Sequence, residues 1–434
     1  MKNSWLIVVL SGLHGLLFAQ HPVDSIKESD AAAIIEILAA DAMKGRANGS
    51  PEILKTGIFI GDRFKQAGLS PMPGQASFYL PFTLPAYNPS AVTDMLEWNG
   101  EIISPGRFMY FPSQQGNHLP KELKDFTVIH QDTCFYNTML SGYKYATTPL
   151  LIWTSEMQPD NENYFPEWIN LPNGGLATDI LLVYATHPPD TVTLTGLPQY
   201  YNSLGYNIVG MLPGKSKPAE VIIFSAHYDH MGTTGFGRKD TIMNGANDDA
   251  SGTTAVLMLA DYFAKRNDNE RTIIFCAFAG EELGLIGSEH FINHLVTENV
   301  VAVVNIEMIG ISQLGKNNVF ITGYNYSDLP ALLEKNLKRF GIKVRGEPNQ
   351  NKNLFERSDN FPFAKKGIPA HTVMSSDDDE PCYHKPCDEI KRINIKHMTQ
   401  VIRSIAFATE SLINSSETPG RKRYERPKLN FNRD

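Results

Sequence analysis

The chain has 434 residues, a formal net charge of -8, 42% hydrophobic side chains and 20% charged ones. Those are ordinary proportions for a globular protein with a large core, and they exclude a largely disordered chain. A net-negative chain also lacks the concentrated basic surface that phosphate binding needs, which excludes a nucleic-acid binder.

The elements follow in chain order. Residues 1–20, MKNSWLIVVLSGLHGLLFAQ, place a lysine before an apolar segment that ends at the small Ala19, the pattern of a cleavable export signal. Ser11, Gly12, His14 and Gly15 interrupt the run, which falls short of a comfortable bilayer span. No later segment is long and apolar enough to span. The expectation is a mature chain starting near Gln20, without a membrane span, in the periplasm or secreted.

Residues 21–83 read as a helical part of the main domain: AAAIIEILAADAM and SPEILKTGIFIGDRFKQAGL carry apolar residues at helical spacing, and the second ends at Gly68. Residues 84–205 are rich in Pro, Asn and Tyr, with short segments such as RFMYF, DFTVI, PLLIWT and DILLVYA, and read as an inserted β-rich region or lid. From 206 to 414 strands alternate with helices. YNIVGML and VIIFSA precede the helix SGTTAVLMLADYFAKR; TIIFCAFAG, the helix LIGSEHFINHL, VVAVVNIEMIG and NVFITG follow. The helix DLPALLEKNLKRFG, the strand GIPAHTVM and the helix NIKHMTQVIRSIAFATESLIN complete the pattern. It predicts an α/β fold, a mostly parallel twisted sheet with helices on both faces. Residues 415–434, containing RKRYERPK, read as a polar, basic, solvated tail.

Ligands bind such sheets at the carboxyl ends of the strands, and that is where ionisable residues gather. VIIFSA delivers His227 and Asp229, TIIFCAFAG delivers Glu281 and Glu282, and VVAVVNIEM delivers Glu307. Asp248 and Asp249 precede the helix that starts at Ser251, and CYHKPCDE supplies His384 far downstream. Each has a plainer reading when taken alone: a satisfied His–Asp pair, a helix start favoured by the dipole, a turn with an N-cap, an exposed loop histidine. Together they are a crowd of carboxylates that cannot all ionise cheaply in a cleft. The motifs hold few basic residues, so divalent metal is the economical counter-charge. Imidazole with carboxylate suits zinc, and five ligands sharing one carboxylate suit two ions roughly 3.5–4 Å apart.

These motifs, in this order, resemble peptidase family M28, the co-catalytic zinc aminopeptidases and carboxypeptidases. The resemblance runs from about Tyr206 to Asn414, and ADAMKGRANGSPE looks like the family's opening helix. It implies a zinc exopeptidase fold with a peptide substrate and two Zn²⁺ per chain. In HYDH, His227 is then a metal ligand and Asp229 the carboxylate that orients a histidine ring, with His230 at the rim. GANDDASG matches GAxDxxSG, making Asp248 the bridging carboxylate and Asp249 a neighbour. In GEELGLIGS, Glu281 matches the general base and Glu282 a terminal ligand. NIEMIG departs from the usual NxDM, placing Glu307 where the family has Asp, so this ligand has an extra methylene to accommodate. In YHKPCDE, His384 completes the second metal, Asp388 supports it from outside, and Tyr383 either lends its phenol to an oxyanion or packs as an aromatic. RSDNFPFAKKGIPA resembles a loop lining the pocket, with Asp359.

The resemblance implies hydrolysis by a water activated between two cations, with Glu281 carrying its proton to the leaving amine. Acid-rich motifs suit an α-amine, so an aminopeptidase is expected ahead of a carboxypeptidase; Arg357 is the one arginine close to a motif. The alternatives are a glutaminyl cyclase of the same fold and a non-catalytic peptidase-like binding protein. Cys382 and Cys387 flank His384, and export favours a disulfide between them over free thiols or a metal site. Cys276 reads as an apolar filler, and Cys134 has no evident partner. Oligomeric state is not encoded in any pattern found.

Overall fold

The computed structural model describes residues 22–87, 95–103, 108–111, 113, 121–130, 146–155, 178–195, 200–233, 240–349, 352–422 and 424. The export-signal segment and Cys134 lie outside these residues. The described chain opens with helices α1 (Glu28–Leu38) and α2 (Pro51–Gln66). Ser50 starts α2: its side-chain oxygen accepts from the Ile53 N–H at 3.2 Å, and Pro51 fills a position where a missing N–H does no harm.

Strand β1 (Tyr79–Tyr87) is followed by β2 (Met95–Trp98), β3 (Glu101–Ile103), β4 (Phe108–Phe111), β5 (Lys121–Glu122), β6 (Thr127–His130), β7 (Leu150–Thr154), β8 (Ile180–Tyr184) and β9 (Val192–Thr195). Then come β10 (Tyr200–Leu212), β11 (Lys217–His227), α3 (Ser251–Arg266), β12 (Arg271–Phe278), α4 (Ile286–Phe291), β13 (Val300–Ile306) and β14 (Asn318–Ile321). The last elements are α5 (Leu329–Arg339), β15 (Lys343–Arg345), α6 (Phe361–Lys365), β16 (Ala370–Met374), α7 (Ile395–Ala408) and α8 (Glu410–Ile413).

The main sheet has eight strands in the order β1-β10-β12-β11-β13-β16-β14-β15. Its centre, β12-β11-β13-β16, is parallel, while β1, β10 and β14 join antiparallel. Alternate residues of the central strands enter two cores. Ile222, Phe224, Ala226, Ile273, Phe275 and Ala277 face one, packed with residues of α1, α2, α3, α5 and α7. Ile223, Ile274, Cys276 and Phe278 face the other, against Phe291 of α4 and Phe363 of α6. Burial on both faces is why these strands read as unbroken apolar runs. This is the mixed α/β fold with helices on both faces that the sequence predicts, and Cys276 is the buried filler expected.

Two boundaries differ from the sequence reading. β1 and β10 pair from Tyr79 opposite Ile208 to Tyr87 opposite Tyr200, so residues 84–87 and 200–205 belong to the main sheet. The change in composition near residue 84 falls inside a strand, and pairing, which composition does not report, sets the true edge. Between them lie two four-stranded sheets, β3-β2-β9-β5 and β4-β8-β7-β6, sharing a separate core of Leu96, Trp98, Tyr110, Leu151, Trp153 and Leu194. Secondly, the basic tail is docked as far as Tyr424. Arg421 donates to the carbonyls of Thr297 at 2.6 Å and Val300 at 2.5 Å, and Tyr424 packs on Tyr326, Phe355 and Phe361 while bonding Glu356. An aromatic ring with an apolar cluster in reach outweighs the local polarity. Among the described residues no helix is long and apolar enough to cross a membrane.

Candidate metal centre

The carboxyl ends of three parallel strands hold most of the site. His227 is the last residue of β11, Glu281 and Glu282 follow β12, and Glu307 follows β13. Asp248 lies in the turn Ala246–Ala250 between β11 and α3. Gly252, at the end of that motif, is required by space: a Cβ there would lie 2.1 Å from the Ile306 carbonyl oxygen. His384 enters from the loop after β16, between Cys382 and Cys387, which form a disulfide.

The five ligand candidates converge. The two oxygens of Asp248 face different imidazoles, Oδ1 at 3.2 Å from His227 Nε2 and Oδ2 at 3.1 Å from His384 Nε2. His384 Nε2 is also 3.1 Å from Glu282 Oε2. Asp248 is thus common to two groups whose ligand atoms lie within 4.8 Å of one another: His227, Asp248 and Glu307, and His230, Asp248, Glu282 and His384. The Glu307 carboxylate is held by the Ser358 hydroxyl, itself bonded to Asn305 at 2.8 Å, so this longer side chain has a fixed seat.

Two expectations, for His230 and Asp388, are corrected. His230, expected at the rim, is buried, and its Nδ1 lies 2.8 Å from Glu282 Oε1. The backbone from Tyr228 onward turns back toward the leader, as the 3.3 Å bond from His230 N–H to the Arg46 carbonyl shows, and this carries the ring inward. The Asp229 carboxylate lies 3.7 Å from His227 Nδ1, which also faces the Asp229 carbonyl at 3.1 Å. It also accepts from Asn48 Nδ2 at 2.7 Å and from the backbone N–H groups of Glu281 and Glu282 at 3.3 Å, positioning the turn that carries both acids. Asp388 does not brace His384; its carboxylate accepts from the N–H groups of Asn247 at 2.9 Å and Asp248 at 3.1 Å, nearer neighbours in the fold. Asp359 is as fully buried as His227 and Asp229, and burial holds its carboxyl up at about 7 against the pull of His227. Asp249 is a neighbour: its Oδ1 accepts from Gly252 N–H at 2.9 Å and Met308 N–H at 3.1 Å, tying α3 to the end of β13.

Sequence reasoning missed Arg46. It is fully buried and donates to the carbonyls of Tyr228 at 2.8 Å, Leu38 at 2.8 Å, Asn244 at 2.6 Å and Gly245 at 2.9 Å. Burial lowers its pKa while Asp388, Asp248, Asp229 and Asp249 pull the other way, so this guanidinium is an internal counter-charge beneath the acids. The leader GRANGS was legible as part of a pattern, but nothing local to it shows that Arg46 and Asn48 reach residues about 180 positions away.

The electrostatics distinguish the acids. Burial opposes ionisation of Glu282, but His384 and His230 outweigh it and hold the carboxyl at about 2. Asp248 is also held well below its usual range, burial again being outweighed by His227 and His384. Burial pushes Glu281 well above the carboxylate range, with Glu307, Glu282 and Asp359 adding repulsion that His227 only partly offsets. Glu307 sits at about 7 through burial and the nearby Asp248 and Glu282. Nε2 of His227, His230 and His384 is in each case buried without a hydrogen-bond partner. The Nε2 atoms of His227 and His384 are aimed at carboxylates, which fits a divalent cation, and this nitrogen and oxygen donor set suits zinc.

The model of peptidase family M28 matches residues 207–409. The chain is 26% identical to aminopeptidase YwaD of Bacillus subtilis, covering 51% of this chain and 48% of the relative. It is 27% identical to leupeptin-inactivating enzyme 1 of Streptomyces exfoliatus, covering 51% of each. The chain therefore spans about half the length of the curated relatives it matches. Its fold is similar to that of a zinc aminopeptidase from Bacillus subtilis, with a TM-score of 0.64 and 20% identity over 90% of this chain and 96% of the other. An aminopeptidase from Aneurinibacillus sp. strain AM-1 aligns with a TM-score of 0.60 and 19% identity over 93% and 97%.

Proposed function

We propose that the chain, whose residues 207–409 match the model of peptidase family M28, is a zinc-dependent aminopeptidase acting on N-terminal peptide bonds. The observation that carries the reading is Asp248, shared between two convergent ligand groups. His227, Asp248 and Glu307 would hold one zinc and Asp248, Glu282 and His384 the other, with His230 orienting Glu282 through their 2.8 Å contact. When bound, zinc supplies Lewis acidity that activates water and polarises the peptide carbonyl.

Glu281 takes the proton of the attacking water and delivers it to the leaving amine. Tyr383 stacks on the His384 ring, with centroids 3.9 Å apart, and burial beside Asp248 and Glu282 keeps its phenol protonated as a donor to the oxyanion. Asp229, fixed by Asn48, holds the Glu281–Glu282 turn in place. The carboxylates of the cleft suit the α-ammonium of a free N-terminus. Export to the periplasm or beyond belongs to the same proposal: residues 1–20 have the pattern of a signal, and the Cys382–Cys387 disulfide suits an oxidising compartment.

Aminoacyl nitroanilides and their N-blocked counterparts, assayed with and without a chelator, test the reading. Turnover confined to free amines and abolished by chelation is the expected result. Equal turnover of blocked substrates, or pyroglutamate formation in place of hydrolysis, would overturn it.

A further inference from the structure

We propose that Arg357 is a subsite for the free α-carboxylate of short substrates, so that dipeptides are preferred over longer or C-terminally blocked peptides; this rests on the aminopeptidase reading and narrows it. Arg357 ends the turn Leu354–Arg357 and is followed at once by Ser358, whose hydroxyl holds Glu307. Its backbone therefore stands one residue from the wall of the metal centre. Its side chain is 47% exposed, unlike the buried acids beside it.

The guanidinium is only partly used. Nη1 donates to Asp378 Oδ2 at 2.8 Å, and the other oxygen of Asp378 receives Lys352 Nζ at 2.6 Å. One carboxylate thus serves two cations. Lys352 is further engaged by Asp379 at 2.6 Å, whereas Nε and Nη2 of Arg357 make no hydrogen bond among the described residues. An arginine anchored at one nitrogen with a free edge is suited to receive a planar carboxylate through paired N–H donors. Burial works against the charge of Arg357, but Tyr383, Asp378 and Glu281 outweigh it, so the guanidinium stays charged.

That location selects substrate length. Successive Cα atoms lie about 3.8 Å apart, so the terminal carboxylate of a dipeptide falls within roughly 5 Å of its scissile carbonyl, and each added residue carries it up to ~3.5 Å further. A cation carried one residue from Ser358, at the wall of the metal centre, meets that carboxylate only when the substrate is short. An Arg357 that merely pinned Asp378 would affect all substrates alike.

The test compares leucyl-glycine, leucyl-glycinamide and leucyl-p-nitroanilide on the zinc-loaded full chain, native and with Arg357→Gln or Arg357→Lys. The expected native preference in kcat/KM for the free acid over the amide is about tenfold or more, expressed in KM. In Arg357→Gln the ratio falls toward one, and Arg357→Lys, which keeps charge without the fork, lies between. A native ratio near one, or a ratio that survives Arg357→Gln, overturns the subsite while nitroanilide turnover leaves the parent reading standing. A native protein that hydrolyses none of the three overturns both.

Discussion

Glu281 and Glu282 are adjacent in sequence and opposite in charge behaviour. Glu282 is drawn to about 2 by two imidazoles, and Glu281, facing mainly other carboxylates, is pushed up by burial. The doublet is legible in the sequence; the division of labour is set by what each side chain meets. Glu281→Gln should keep the fold and the zinc content and lower kcat by about 10²- to 10⁴-fold, read by steady-state kinetics beside metal analysis. Full activity would remove Glu281 from the mechanism. A second residue governs acid stability. His371 is buried, its Nδ1 donating to the Thr322 carbonyl at 2.8 Å and its Nε2 accepting from Ser327 at 2.6 Å, and burial holds its pKa down at about 4. The unfolded chain takes up this proton near pH 6.5 and the folded chain does not. The associated stability is present above pH 6.5 and lost as pH falls toward 4, by up to about 3 kcal/mol. Urea midpoints measured from pH 7 to 4.5 should fall less steeply in His371→Gln, and an identical slope would exclude His371 as the cause.

At the scale of elements, strand ends do the assembling. The helix predicted from SGTTAVLMLADYFAKR is α3, Ser251–Arg266, residue for residue, because period and caps are local properties. The strand preceding GEEL was equally legible. The edges of the insertion were not, because β1 and β10 find each other across more than a hundred residues. The His384 loop is a third case: the spacing of Cys382 and Cys387 permitted a disulfide, and the structure closes it. A clamp on both sides of a ligand restricts where His384 can sit. Replacing both cysteines by serine should cost about 2 kcal/mol of stability from chain entropy and raise the zinc dissociation constant, measured by competition with a chromogenic chelator. An unchanged dissociation constant would leave the disulfide a purely structural role.

At the scale of the molecule, residues from Arg46 to Asp388 meet at the carboxyl ends of the central strands, and they meet as a concentration of negative charge. Arg46 supplies one permanent cation from beneath, and two zinc ions would supply the rest. The loaded protein should therefore melt at higher temperature than the chelated one, since a ligand at about 1,000 times its dissociation constant contributes about 4 kcal/mol. Scanning calorimetry with metal analysis checks this, with two zinc ions per chain expected. A single zinc at saturation would remove the Glu307 group from the metal centre.

By itself the sequence determined which residue types sit at the ends of apolar runs, and hence the sheet, its helices and the identity of His227, Asp248, Glu282, Glu307 and His384 as candidates. Periodicity and short motifs are local, so they survive in one dimension. Only the tertiary structure decided that His230 turns inward, that Asp229 and Asp388 hold backbone N–H groups, and that Arg46 lies under the acids. Those contacts join segments distant along the chain, and the free energy that selects them, the need to satisfy every buried polar group, exists only once the chain has packed.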